Sequence, residues 1–85
     1  MSELGSAPPN VLDARGLLCP EPVIALARRV HDVDLGDDVV VWADDPAARH
    51  DIPAWCRMTR QELIEHSDLS TAEGSGDRFV VRRCV

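Results

Sequence analysis

The sequence predicts a two-layer α/β sandwich in the order βαβαββ, with two helices on one face of a small mixed sheet. Three observations carry this expectation. Residues 39–43, Val-Val-Val-Trp-Ala, form an uninterrupted β-branched and aromatic run of strand length. Two stretches on either side of it place apolar residues at helical spacing. Gly74, Ser75 and Gly76 precede a second apolar run at 79–81, as in a closing hairpin. Helices with one apolar stripe each need a sheet face to bury it, which gives two layers, and the first β-α-β crossover is right-handed.

Residues 1–10 hold Ser, Gly and two prolines and read as a disordered tail, leaving 11–85 as one domain. Residues 11–14 are a short first strand, and Arg15 with Gly16 turns the chain into Leu17, Leu18 and Cys19. Pro20 and Pro22 cannot lie in a helix interior, but they suit a first turn, so Cys19 becomes the N-cap or its neighbour. Val23, Leu26, Ala27 and Val30 then recur on one stripe, with Arg28 and Arg29 off it, and the helix ends near His31. Gly36 turns into the strand at 39–43, which belongs in the middle of the sheet. Asp44, Asp45 and Pro46 open a turn, after which Asp51 reads as N-cap of a second helix with Pro53 in its first turn. Ile52, Trp55, Cys56, Thr59 and Leu63 share its core face. Residues 69–72 give a third strand, 74–76 the hairpin turn and 79–81 the last strand.

Cys19 is the candidate for chemistry. A thiol at a helix start faces unpaired N–H groups and the positive end of the helix dipole, both of which favour the reactive thiolate. Glu21 adds a negative charge that works against this. A purely structural cap would sooner be Ser, Thr, Asp or Asn. Cys56, on the apolar face of the second helix, reads as a core cysteine, and Cys84, next to the last residue, as an incidental exposed thiol.

The composition narrows the function further. A chain of 85 residues with net charge -6 has no broad basic surface for nucleic acid, and its nine basic residues are all arginine. The core is aliphatic, with Trp42, Trp55 and Phe79 as its large pieces. Three cysteines without a Cys-x-x-Cys pair make neither a disulfide framework nor a zinc site, so no metal and no cofactor is expected. Asp44, Asp45 and Asp51 serve as turn and cap residues in preference to a Mg²⁺ site. The first ten residues lack a basic start and an apolar stretch, so no signal peptide or membrane span is expected, and a reducing cytoplasm follows. Val40 and Trp42 fall on the sheet face away from the helices, where an exposed apolar patch would serve a partner or a dimer; a monomer is otherwise expected.

The run from Leu12 to Val23, with Cys19-Pro20-Glu21-Pro22 at its centre, resembles the signature of the TusA/SirA sulfur-carrier family. A second block, Ala43, Asp44, Asp45, Pro46, Ala47, Asp51, Ile52, Pro53, Cys56, Glu62 and Leu63, is similar to it as well. The resemblance implies the same βαβαββ sandwich. It also implies that Cys19 accepts a persulfide from a donor protein, a cysteine desulfurase or rhodanese, and passes it to an acceptor protein. Family uses include tRNA thiolation, molybdenum cofactor biosynthesis and sulfur oxidation. Arg15, Gly16, Pro20, Glu21 and Pro22 would support the site. One departure stands out: the position before the cysteine, often basic in the family, is Leu18, and Arg15 is the nearest cation. The alternative is a noncovalent adaptor or regulatory domain on the same fold, and whether the chain counts as an enzyme, a sulfurtransferase, stays open.

Overall fold

A computed structural model describes residues 11–71 and 74–85; the expected tail at 1–10 and Ala72 lie outside them. The elements are β1 (Val11–Asp13), α1 (Glu21–Arg29) continued by a 3₁₀ turn (Val30–Asp32), β2 (Asp38–Ala43), α2 (Ala48–Thr59), β3 (Glu62–Thr71) and β4 (Gly74–Arg82). The described strands form one sheet in the order β1-β2-β4-β3, with β1 parallel to β2 and the other pairs antiparallel. This is the expected two-layer sandwich, and the apolar run at 39–43 lies inside the sheet as its composition requires.

Period-2 alternation sends Val39, Val41 and Ala43 to one face, opposite Val81, Phe79 and Asp77 of β4. Both helices pack there. Leu26 from α1 and Ala48, Ile52 and Cys56 from α2 join the three β2 residues, Phe79 and Val81 in one fully buried cluster. Along α1 and into its 3₁₀ turn the buried stripe is Pro22, Leu26 and Val30, with Val23 and Ala27 half-buried beside it. On the opposite face the expected apolar pair is partly covered. Val40 and Trp42 are half-buried, the Arg15 guanidinium lies 5.0 Å from the Trp42 ring centre, and Asp38 pairs with Arg82 across the strands at 2.9 Å.

Four expectations are corrected. The second helix starts at Ala48, not after Asp51, because Asp45 caps the chain one turn earlier: its Oδ1 accepts the Ala47 N–H and its carbonyl accepts the Ala48 N–H. Asp51 is then the fourth residue of α2 and Pro53 lies in its interior, forgoing one helical hydrogen bond. The helix stops at Thr59, where Arg60 takes the left-handed conformation (φ 66°), so Leu63 belongs to β3. The third strand is therefore ten residues long and not the four at 69–72. Gly74, Ser75 and Gly76 are not a turn but the start of β4, paired with Thr71, Ser70 and Leu69. Gly76 is required there, because a Cβ would stand 2.6 Å from the Ala43 carbonyl oxygen.

Candidate functional site

The C-terminal end of β2 organises the loop that carries Cys19. Asp44 and Asp45 leave the strand side by side. Asp44 Oδ1 accepts the Gly16 N–H at 3.0 Å, and Asp45 Oδ2 accepts the Cys19 N–H at 2.7 Å. Gly16 adopts φ 86°, a conformation that disfavours any side chain, and this lets its N–H turn toward Asp44. Asp45 thus clamps the cysteine loop with one oxygen and opens α2 with the other. The N–H groups of Cys19 first and Ala47 second hold its carboxyl below the ordinary 3.8.

Cys19 is half-buried against the core, one residue ahead of the helix cap, Pro20. Its peptide bond to Pro20 is cis, and the Glu21 N–H donates to the Leu18 carbonyl across the turn at 2.9 Å. The helix-start position is as expected, but the expected lowering of the thiol pKa is not. Burial pushes the thiol up from 9.0 to about 11, helped by a hydrogen bond to Asp51 and by the charges of Asp45 and Asp51. Burial first, and the two carboxylates after it, work against the helix end.

The supporting residues divide. Pro20 caps α1, and Pro22, its second residue, is buried. Glu21 is exposed in the first turn. The Arg15 guanidinium donates to both oxygens of Asp13, at 2.9 and 2.8 Å, and covers Trp42. Asp45 and Asp51 are the site residues that sequence reasoning placed only as turn and cap. Their presence in the second block of the motif was the available signal. The other thiols stand apart in kind: Cys56 is 2 % exposed, with burial raising it to about 11, and Cys84 is exposed.

Beside Cys19, the gap between α1 and α2 is an open cleft of about 280 Å³ lined by Pro20, Val23, Asp51, Ala54, Trp55 and Met58. Asp51 is its one charged wall. A second polar cluster lies under the sheet at β4, where buried Asp77 accepts from Arg49 Nε at 2.9 Å and sits 3.1 Å from His66 Nε2. Burial raises the Asp77 carboxyl, but its hydrogen bonds to Arg49 and His66 prevail and hold it below 3.8. His66 in turn stacks on Phe79 with ring centres 4.3 Å apart. This cluster ties α2 to both long strands.

A two-layer sandwich that holds one half-buried thiol in a clamped loop ahead of a helix defines a small thiol protein. The chain belongs to the TusA sulfurtransferase family, whose description, "Sulfurtransferase TusA", matches residues 10–83. In fold it is similar to the crystal structure of a SirA-like protein from Desulfitobacterium hafniense, with a TM-score of 0.66 and 20 % sequence identity, over 88 % of this chain and 97 % of that one. No helix among the described residues is long and apolar enough to cross a membrane.

Proposed function

We propose that the protein is a persulfide carrier: Cys19 accepts sulfane sulfur from a cysteine desulfurase or rhodanese and hands it to an acceptor protein in tRNA thiolation, cofactor biosynthesis or sulfur metabolism in the cytoplasm. The observation that carries this reading is the placement of Cys19, partly exposed, with its backbone fixed by Asp45 at 2.7 Å. Cys19 Sγ, as thiolate, attacks the outer sulfur of the donor persulfide. A new S–S bond forms, the donor S–S bond breaks, and its electron pair leaves on the donor thiolate, which takes up a proton. The acceptor repeats the exchange on the Cys19 persulfide. No external oxidant or reductant is needed. Of the other thiols, Cys56 is buried in the core.

One observation favours the second reading, a noncovalent adaptor. With a pKa of about 11, roughly one Cys19 in ten thousand is ionised at pH 7. Intact-mass measurement separates the two readings after incubation with a desulfurase and cysteine, or with thiosulfate and a rhodanese. The carrier takes up one sulfur, lost in Cys19→Ser and kept in Cys56→Ser and Cys84→Ser. Sulfur addition that survives Cys19→Ser, or no addition in the wild type, overturns the assignment.

A further inference from the structure

The surface around Cys19 combines two properties. It is apolar: the cleft walls are Pro20, Val23, Ala54, Trp55 and Met58, Met58 is 82 % exposed, and Leu18, next to the cysteine, is 74 % exposed. It is also acidic without compensation. Asp13, Asp38, Glu65 and Asp77 each pair with an arginine, whereas among the described residues no ion pair reaches Asp44, Asp45 or Asp51. Asp51 belongs both to the cleft and to the thiol's surroundings.

This arrangement sets a problem that the chain does not solve by itself. A donor persulfide is an anion, the Cys19 nucleophile is an anion, and two carboxylates stand beside the point where they meet. Like charges gathered in a half-buried place repel unless a cation joins them. Arg15, the nearest cation in sequence, is engaged with Asp13 and Trp42. The missing charge has to arrive with whatever fills the apolar cleft.

We propose that the cleft between α1 and α2 is the docking surface for a partner protein that inserts a large apolar side chain against Trp55 and Met58 and sets an adjacent arginine or lysine on Asp51. The inference rests on the carrier reading for its purpose but not for its geometry. Methionine is the residue best able to fit itself to a varied apolar partner, and an exposed one at the cleft rim suits a surface used by both donor and acceptor. The charge complement gives orientation and speeds encounter, since the chain carries a net charge of -6.

Disulfide exchange at Cys19 tests this without knowledge of the partner. Four short peptides of the form acetyl-Gly-Cys-Gly-X-Z-amide, with X as Phe or Ala and Z as Arg or Glu, are supplied as mixed disulfides with mercaptoethanol. The protein is the Cys84→Ser variant. Cys19 Sγ bonds to the peptide sulfur, the old S–S bond breaks and mercaptoethanol leaves with the proton, so extents of exchange compare the contacts each peptide makes. The Phe-Arg peptide should exchange at least about tenfold further than Ala-Glu, the difference made by one modest set of contacts. Met58→Glu should remove the Phe preference, Asp51→Asn the Arg preference, and urea both. Exchange of all four within about twofold, or an Arg preference without a Phe preference, overturns the docking surface. Loading by inorganic polysulfide, measured on the same preparation, keeps the two ideas distinct. Loading without peptide preference leaves the carrier and removes the docking surface; peptide preference without loading does the reverse.

Discussion

Replacing Asp51 with Asn should make Cys19 more acidic and more reactive toward a neutral reagent. The thiol stands at about 11 against an ordinary 9.0, with burial as the largest cause and the Asp51 hydrogen bond next, followed by the Asp45 and Asp51 charges. Asn leaves burial and Asp45 in place and removes both Asp51 contributions. Burial and Asp45 remain, so at most half of the rise should go, and the thiolate fraction at pH 7.5 should increase by no more than about tenfold. Nucleophilicity falls with pKa along a Brønsted slope of about 0.4–0.5, so the net rate should rise by up to about threefold. The assay is the iodoacetamide rate at Cys19 from pH 7 to 11.5, mapped by peptide mass, with circular dichroism as the check on folding. A wild-type inflection at or below 9, or an Asp51→Asn profile displaced to higher pH, would refute the argument that these carboxylates hold the proton on sulfur.

Two further outcomes follow from the core. Cys56, 2 % exposed and raised to about 11 chiefly by burial, should alkylate slowly in the native protein and fast in denaturant, and its ionisation should cost stability in alkali. Its folded pKa lies above the unfolded value of 9.0, so its contribution is complete below pH 9 and is lost as pH rises toward 11, by about 2 to 3 kcal/mol in all; urea midpoints of the wild type and Cys56→Ala between pH 8 and 11 check this, and parallel curves would contradict it. Gly76→Ala should destabilise by about 1–3 kcal/mol, because the new methyl meets backbone at 2.6 Å and neither β2 nor β4 can yield; an unchanged thermal unfolding midpoint would contradict this.

What the sequence made legible was whatever depends on local pattern. The strand at 39–43 alternates cleanly because one of its faces meets both helices, and the prolines at 20 and 22 mark a helix start by chemistry alone. The boundary between α2 and β3 left no such mark. Arg60, not glycine, takes the left-handed cap, and Leu63 falls by coincidence on the helical stripe. β3 itself hides its period, because a register shift between Leu63 and Glu65 resets its phase. After the shift, His66 and Asp68 pair with the inward residues Phe79 and Asp77, so polar residues occupy positions where an apolar alternation would be sought. Gly76 looked like turn chemistry when its cause is the close approach of the β2 carbonyl. Asp45 and Asp51 escaped as site residues for a related reason: they lie 26 and 32 positions after Cys19 and meet it only because β2 ends beside the start of α1.

The raised thiol and the carrier role are compatible only if docking changes the field at sulfur, and the size of that change can be estimated. A cation brought to about 4 Å from the sulfur in a partner-covered site of effective dielectric near 20 interacts with the thiolate by about 4 kcal/mol. At about 1.4 kcal/mol per pKa step this corresponds to about three steps, enough to carry the thiol from about 11 to about 8. The ionised share at neutral pH then rises from about one in ten thousand to about one in ten. Pairing the same cation with Asp51 cancels part of the field that raised the thiol in the first place. On the carrier proposal, Cys19 would stay protonated between partners and therefore be slow to oxidise or to form a stray disulfide, since both reactions proceed through the thiolate. On the docking proposal, a donor that fills the cleft without bringing a cation would meet a thiol kept protonated by burial and by Asp51 and Asp45, so the same groups would favour partners that bring one.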